Sequence, residues 1–430
     1  MNYLKTKLTV GIAAILLSIV IPACGNEANS VQQQSEDGRP IIQFWHAFGG
    51  AGSSVEALVE EYNNYQNEVY VNATYQGDYL ENQSKIQAAI AARNHPDVTV
   101  IEAGAIGAFA KAGALVDLGE LVKQEDMSLD DFVPGLLGNS YWDDTLVALP
   151  FARSTPLLYM NKNMLEEVGL DISGPTTWDE LEEYARKLTI PEERYGFTTA
   201  TNTWLFEALV FQNGGEILSE DGKKSLFHSD AGVEALQYWM DMIDEGIMKN
   251  PPAERGFDVS QQDFVNQNAA MLFASTGSLG SILDSIEGQG FEVITSFLPK
   301  KEEFATPSGG SNLVILENTS EERQQAAWEF VKWMTEKEQT IQFSQATGYM
   351  PVRQSAIDSE DMQAIYENSP QFKVAVDQLA YARPRPMVPA YHELQVIITI
   401  EMQRAILEDG VSAQEALTAA AERGNELLSK

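Results

Sequence analysis

From residue 41 to residue 101, stretches with the hydrophobic pattern of a strand alternate with stretches that have the helical spacing of about 3.6 residues. The pattern predicts, in order, a strand over 41–45, a helix over 55–62, a strand over 69–75, a helix over 80–93 and a strand over 97–101. A β-α-β-α-β order with short connections predicts a parallel sheet with right-handed crossovers and helices on both faces.

This order also predicts where a ligand binds. In open parallel sheets, the binding crevice lies beyond the carboxyl ends of the strands. Those ends fall at Trp45-His46, at 76–79 with Tyr79, and at Glu102–Gly104. Aromatic rings, amides and one carboxylate there are suitable partners for a hydroxyl-rich ligand.

The stretch Ala148–Lys162 differs from its surroundings. Two apolar pieces, each with a proline, flank the polar centre Arg153, Ser154 and Thr155, so the backbone is extended and a helix is disfavoured. One interpretation is a crossing between two domains, with these three residues at the floor of a cleft. The other is an ordinary strand and turn within a single domain.

A second α/β pattern follows. It predicts a helix over 163–168, a helix ending near Leu188, a strand over 196–200, a helix over 231–247 and a strand over 271–273. The chain then returns through a strand over 291–298 and an apolar strand over 313–316, which are followed by a helix over 320–334. Two α/β domains joined by several crossings are the predicted fold class.

The last strand of the second pattern leads into Ala274–Ser278, just before an apolar helix starting near Leu279. Hydroxyls and a glycine at a helix N-terminus offer backbone donors to an oxygen-rich or anionic group. A simple N-cap explains the same residues.

The N-terminus resembles a bacterial lipoprotein signal. Lys5 and Lys7 precede an apolar run over 8–21 that is too short to span a membrane, and Cys24, the only cysteine, follows. We expect a signal peptide over 1–23, lipidation of Cys24, and a polar flexible tether over 24–38. The resulting location is the outer face of the cell membrane.

Charge and missing motifs restrict the function. A net charge of −35 argues against nucleic acid as a partner, because nucleic-acid binding needs a basic surface. The four histidines have no metal-ligand spacing, and no nucleophile elbow, P-loop or dinucleotide motif is present, so we expect no enzyme activity, metal or cofactor. A glycoside hydrolase stays open, since its paired carboxylates are a spatial feature.

Several short motifs, in order along the chain, resemble those of one family. They are Phe44–Ala47, Tyr75–Tyr79, Ser154–Lys162, Ser275–Leu279, Gly309–Ser311 and Thr347–Pro351. The mature chain thereby resembles the extracellular solute-binding proteins of ABC importers, in the maltose-binding-protein branch. Within that branch it is most similar to the glycerol-3-phosphate and glycerophosphodiester-binding proteins.

The resemblance implies an α/β, two-lobed periplasmic-binding-protein fold of type II. It implies an N-terminal lobe over 39–148 plus 299–345 and a C-terminal lobe over 149–298 plus 346–430. We expect a monomer that closes its lobes around a small polar solute, glycerol phosphate or a sugar, and passes it to a membrane permease.

The resemblance also implies a set of ligand-binding residues. These are Tyr79, Glu102, Ser154, Trp204, Ser275, Gly310 and Tyr349. The family's phosphate-gripping arginine falls near Gln395-Val396, where this chain has none. Arg153, Arg383 or Arg385 can replace it. If none of them does, the resemblance implies a neutral sugar as ligand.

Overall fold

The computed structural model describes residues 34–250, 252, 255–317 and 320–429. The predicted signal peptide, Cys24 and the tether up to residue 33 lie outside the described residues. Within the described ranges, no helix is both long and apolar enough to cross a membrane.

The strands have the following bounds. They are β1 (Ile41–His46), β2 (Tyr70–Tyr75), β3 (Val98–Glu102), β4 (Tyr141–Trp142), β5 (Thr145–Leu146), β6 (Leu149–Ser154), β7 (Pro156–Asn161), β8 (Tyr195–Thr199), β9 (Met248–Lys249), β10 (Ala269–Ser275), β11 (Val293–Ser296), β12 (Thr306–Pro307), β13 (Gly309–Ile315) and β14 (Ala382–Arg383).

The α-helices have the following bounds. They are α1 (Gly52–Tyr65), α2 (Tyr79–Ala91), α3 (Ile106–Lys111), α4 (Leu118–Gln124), α5 (Pro134–Leu137), α6 (Lys162–Glu167), α7 (Trp178–Leu188), α8 (Thr203–Gln212), α9 (Asp230–Asp244), α10 (Gly256–Val265), α11 (Leu279–Ile286), α12 (Glu321–Met334), α13 (Lys337–Thr347), α14 (Gln354–Ile357), α15 (Glu360–Asn368), α16 (Gln371–Gln378), α17 (Tyr391–Leu407) and α18 (Ala413–Leu428). Short 3-10 helices cover 103–105, 138–140, 276–278 and 379–381.

Two five-stranded sheets organise these elements. The first has the order β2-β1-β3-β13-β6 and the second the order β11-β7-β10-β8-β9. In the first sheet, β1 runs parallel to β2 and β3, as the sequence predicts, whereas β13 is antiparallel to β3 and β6. Both sheets are therefore mixed, since β10 is likewise parallel to β8 and antiparallel to β7. Helices flank the sheets, which confirms an α/β class.

Side-chain caps fix several helix starts. Asp78 and Thr177 each form a reciprocal capping box with the glutamate three residues later, at the beginnings of α2 and α7. Ser320 accepts a hydrogen bond from the backbone of Arg323 at the start of α12. These caps lie where the sequence pattern predicts helix starts.

The chain changes sheet within the stretch that the sequence singles out. β6 belongs to the first sheet and β7 to the second, so Thr155 alone separates them. A second passage, over 297–308, leads from β11 back to β13. A third passage includes α16 and β14 and leads to α17, which packs on α8 and α18.

Two contacts concern the lobe boundaries. β6 pairs within the first sheet, and the amide of Val133 donates to the carbonyl of Val352 at 3.0 Å. The first contact groups β6 with the N-terminal lobe, and the second groups Val352 with it. Each therefore favours a lobe boundary further along the sequence than the predicted ones, at 148/149 and 345/346. The boundaries themselves stay a prediction.

One local difference from the sequence prediction affects the site. The Gly309–Asn312 segment, expected to precede a strand, is the first half of β13 and contains a register shift at Ser311/Asn312. Gly310 has φ +79°, and a Cβ there would lie 1.8 Å from the carbonyl oxygen of Ala152. Only glycine fits so close to β6 in this conformation.

Candidate ligand-binding site

Tyr79 and Glu102 lie at strand ends, where the topology predicts the crevice. Asp78 caps α2, which places the ring of Tyr79 over the end of the first sheet. The Tyr79 hydroxyl donates to Oγ of Ser311 at 3.2 Å. Burial raises the pKa of Tyr79 well above its ordinary value, and nearby Tyr349 and Glu102 add to this shift. The phenol is therefore a neutral donor and acceptor at all physiological pH values.

Tyr349 brings a second phenol to the same place. Gly348 adopts φ +91° and ends α13, so the chain turns back and the Tyr349 ring stacks on Phe343 with centroids 5.5 Å apart. A Cβ at Gly277, in the second domain, would lie 2.5 Å from the Tyr349 ring. Burial raises the pKa of Tyr349. The ring thus spans the gap between the two sheets.

Arg153 is fully buried next to these rings. Its guanidinium donates to Oδ1 of Asn312 at 3.0 Å and to Oγ of Ser308 at 3.3 Å, both neutral acceptors. Its Nε has no hydrogen-bond partner among the described residues. Burial lowers the pKa of Arg153 to about 10, against the opposing effect of Glu102. The group stays cationic at neutral pH and keeps an unused donor.

Ser154 and Gly310 lie in paired strands, and what they bring to the site is mainly their backbone. Ser154 pairs with Gly309, and Arg153 pairs with Gly310, across β6 and β13. Ser154 and Gly310 therefore lie next to the backbone of Arg153 in the β6–β13 pairing.

Ser275 ends β10 and begins the 3-10 turn before α11. Its Oγ accepts from the amide of Gly277 at 3.1 Å, and its carbonyl accepts from the hydroxyl of Tyr159 at 2.6 Å. The simple N-cap expected as one alternative is present. Thr276, the next residue, is buried, and its hydroxyl has no partner among the described residues.

Trp204 joins the two domains from the start of α8. Asn202 caps that helix by accepting from the amide of Trp204 at 2.8 Å. The indole Nε1 donates to the carbonyl of Ser308 at 3.4 Å, and a Cβ at Gly309 would lie 2.5 Å from the ring. Trp204 therefore packs directly on the β12–β13 segment of the first domain.

Arg385 is held by two carboxylates. Its Nε and Nη2 donate to Glu207 at 3.0 and 2.7 Å, and its Nη1 pairs with Glu102. The hydroxyl of Tyr391 also donates to Glu207, at 2.6 Å. Burial lowers the pKa of Arg385, but Glu102 and Glu207 outweigh it and raise the pKa above its ordinary value. Burial raises the pKa of Glu207, and Arg385 opposes that shift.

The Arg383 guanidinium, in contrast, has other partners, although it lines the same cavity as Arg385. Its guanidinium pairs with Glu216 at 3.0 Å and with Glu303 at 2.7 Å, and it lies over the Phe211 ring at 5.0 Å. The proline between Arg383 and Arg385 separates two side chains with different surroundings. A ligand role for Arg383 stays a prediction that these contacts do not support.

Gln395 occupies the place where the family pattern has its arginine. Its Nε2 is buried and has no hydrogen-bond partner among the described residues. A Cβ at Gly104 would lie 3.1 Å from this nitrogen and 3.4 Å from Oε2 of Glu102. A neutral amide donor therefore faces the same corner as the Glu102 carboxylate.

Glu207 and Tyr391 were missed by the sequence reasoning. Every residue of α8 is buried, Glu207 among them. A carboxylate within an otherwise apolar, continuously buried helix needs a partner, because an unpaired buried charge is strongly unfavourable. That signal in Thr203–Gln212 was available, but its partner, Arg385, lies 178 residues away in the chain.

Comparison with known proteins identifies the class. A family model for bacterial extracellular solute-binding proteins matches residues 57–373, and the chain belongs to this family. It is a solute-binding protein of ABC importers. Its relatives are named as binding proteins, and its structural neighbours are periplasmic binding proteins of type II, as the resemblance implies.

Three individual proteins show how similar this chain is to characterised members of the class. The sn-glycerol-3-phosphate-binding periplasmic protein UgpB of Escherichia coli K12 is 26% identical over 412 residues, which cover 90% of this chain and 92% of that protein. The structure of UgpB from Mycobacterium tuberculosis with glycerophosphocholine is 27% identical with a TM-score of 0.82, covering 91% and 99% of the chains. The cyclic α-maltosyl-1,6-maltose binding protein from Arthrobacter globiformis is also 27% identical, with a TM-score of 0.74 and the same coverage.

Proposed function

We propose that this chain is a lipid-anchored receptor that captures glycerol-3-phosphate or a glycerophosphodiester and delivers it to an ABC permease. The observation that carries the ligand class is the environment of Arg153. A fully buried cation with neutral hydrogen-bond partners and an unused Nε donor attracts an anionic oxygen. The names of the UgpB relatives support the same class.

The other site residues complete this proposal. Glu102 gives Oε1 to Arg385, so its Oε2 is the oxygen proposed to accept from glycerol hydroxyls. Tyr79, Tyr349 and Trp204 pack on the carbon skeleton. Ser154, Ser275 and Gly310 lie on the segments proposed to offer hydroxyl and backbone donors to phosphate oxygens.

Lobe closure follows from the same geometry. Tyr349 against Gly277 and Trp204 against Gly309 join the two domains around the proposed ligand position. A ligand that contacts both domains stabilises this arrangement over an open one.

A neutral sugar is the second candidate, and two observations favour it. Arg385 is already paired with Glu102 and Glu207, and an amide stands at Gln395 in place of the family's arginine. Two arginines and two carboxylates leave the buried group with no net charge, which suits an uncharged ligand. Sequence identity does not separate the candidates, since UgpB of M. tuberculosis and the maltosyl-maltose binding protein are equally distant.

Calorimetric titration of the full chain with glycerol-3-phosphate, glycerophosphocholine and maltose tests the proposal. We expect the two phosphorylated ligands to bind and maltose to give no heat of binding. Binding of maltose alone would overturn the phosphate assignment. Chromatography of the ligand afterwards addresses the glycoside hydrolase alternative, which requires that maltose be cleaved.

The lipid anchor needs its own test. We expect the parent chain in the membrane fraction of the producing bacterium, because acylation of Cys24 adds buried hydrocarbon. Cys24→Ala is expected to move the chain to the soluble fraction. A parent chain that is already soluble would contradict the anchor.

A further inference from the structure

One buried side chain contacts all three passages between the sheets. Gln378 ends α16 in the third passage and is 2% exposed. Its Nε2 donates to Oγ1 of Thr155, the residue between β6 and β7, at 3.1 Å, and to the carbonyl of Pro156, the first residue of β7, at 2.8 Å. Its Oε1 accepts from the amide of Leu298 at 2.9 Å, in the second passage.

These three bonds require an amide. Two acceptors face Nε2 and one donor faces Oε1, so neither a carboxylate nor an apolar side chain satisfies them together. Their loss would leave the amide of Leu298 and the carbonyl of Pro156 unpaired in a buried region, which is costly. The partners lie at positions 155, 156 and 298, far from 378 in sequence, so this junction exists only in the folded chain.

The surroundings of Gln378 explain why the junction matters. Thr155 is the residue between β6 and β7, and its carbonyl accepts from the amide of Thr276 at 3.0 Å. α16 packs on β11, and the Gln371 side chain donates to the carbonyl of Val293 at 2.8 Å. The three passages are thus joined on the second-sheet side, where any rotation of one domain against the other must bend them.

We propose that Gln378 is a positioning residue for lobe closure, which holds the three passages in one register so that they bend as a single hinge. These three hydrogen bonds of Gln378 go to none of the proposed ligand residues. Its effect on ligand affinity therefore acts through the population of the closed arrangement, because apparent affinity scales with the competent fraction. This inference rests on the proposed closure around a ligand.

Gln378→Met is the test variant, since it keeps length and volume and removes all three bonds. Asn63→Leu is the matched control. Asn63 is also buried, and its amide donates to the carbonyl of Val71 at 2.9 Å and accepts from the amide of Val71 at 2.7 Å, within the first domain only. Both variants are expected to lower the stability measured by urea unfolding.

The readout combines calorimetry with small-angle X-ray scattering on the full chain carrying Cys24→Ser. We expect Gln378→Met to weaken glycerol-3-phosphate binding by about tenfold, since each lost hydrogen bond contributes modestly. We also expect it to enlarge the radius of gyration of the free protein, whereas Asn63→Leu changes neither quantity. Unchanged affinity and radius in Gln378→Met would overturn the inference.

The scattering of the free protein also separates this inference from the ligand proposal. If the parent binds none of the phosphorylated ligands, the ligand assignment fails. The radius of gyration of the free protein still shows whether Gln378 affects the arrangement of the two lobes. A radius that is equal in the parent and in Gln378→Met would then overturn the positioning role independently.

Discussion

Two buried arginines, Arg153 and Arg385, have opposite surroundings. Arg153 donates to Asn312 and Ser308, which carry no charge, and has an unpaired Nε. Arg385 donates to Glu207 and pairs with Glu102. One cation retains its capacity for a ligand, whereas the other is neutralised by the protein.

The partners of each arginine indicate its role in the protein. A buried cation between two carboxylates joins the segments that carry them, here the end of β3 and the middle of α8. A buried cation with neutral hydrogen-bond partners is less favourable for the protein alone, because no carboxylate bonds to it and nearby Glu102 only partly offsets its desolvation. An anionic ligand would offset that cost, so Arg153 is the better candidate for the proposed phosphate contact.

The largest effect is expected for Arg385→Met. Removing the cation leaves the fully buried Glu207 and the partly buried Glu102 without their partner, and breaking a buried pair in this way costs about 3–5 kcal/mol. The free energy of unfolding, measured by urea denaturation, is the observable. Arg383→Met is the control. If Arg385→Met keeps its stability and loses only ligand affinity, the roles of the two arginines are exchanged. Arg385 would then be the residue that contacts the ligand phosphate.

A large effect on binding is expected for Arg153→Met. Loss of a charged donor to the ligand phosphate is expected to weaken glycerol-3-phosphate binding by about 100-fold, or about 3 kcal/mol. Stability should fall less than in Arg385→Met, because Asn312 and Ser308 are neutral partners. Arg153→Lys keeps the charge but not the planar fork, and is expected to bind with intermediate affinity. Equal affinities for all three proteins would exclude Arg153 as the phosphate contact.

A smaller effect, confined to acidic pH, is expected at His46. It lies buried at the end of β1 with no counter-charge in contact, and burial lowers its pKa to about 4. The unfolded chain takes up this proton below about pH 6.5, whereas the folded chain does so only near pH 4. The stability contributed by neutral His46 is therefore complete above pH 6.5 and is lost as the pH falls to about 4.

The His46→Gln variant isolates this contribution. Urea unfolding between pH 7 and pH 4 should show a shallower loss of stability than in the parent, since the buried imidazole at position 46 no longer titrates. Identical pH profiles would mean that His46 is protonated in the fold. His46 would then resemble Arg153 in carrying an uncompensated buried charge.

The smallest effect is expected for Arg383→Met. Its partners Glu216 and Glu303 are largely exposed, and such pairs contribute about 0–1 kcal/mol. Affinity for glycerol-3-phosphate should match that of the parent. A strong loss of affinity would restore Arg383 as the phosphate contact and contradict its separation from the other two arginines.

Much of the fold followed from local pattern. Alternating periods predicted β1 to β3 and their helices, and caps such as Thr177 and Ser320 located helix starts. A crossing between two domains was one of two interpretations of the extended, proline-flanked stretch Ala148–Lys162. The strands β6 and β7 within it belong to different sheets, which favours that interpretation, while the domain boundaries stay a prediction. The antiparallel placement of β13 and β6 had no local signal, because strand direction in a sheet depends on long-range pairing.

For the candidate site, too, some residues were predicted from the sequence and others depend on long-range contacts. The strand-end rule proposed Tyr79 and Glu102, and the family resemblance added Ser154, Gly310 and Tyr349; the role of these residues in ligand binding stays a prediction. Sequence alone could not choose between Arg153, Arg383 and Arg385, since each has the same charge and reach. Their roles depend on which carboxylates lie beside them in space.

The sequence by itself determined the α/β class, and it predicted a crossing stretch and a ligand-binding edge of the sheet, since all three depend on periodicity and strand order. Only the tertiary structure decided which cation is compensated. Arg385 meets Glu102 across 283 residues and Glu207 across 178, and Gln378 reaches Thr155 across 223. Contacts at such separations leave no local pattern, because they arise when the passages between the two domains are packed together.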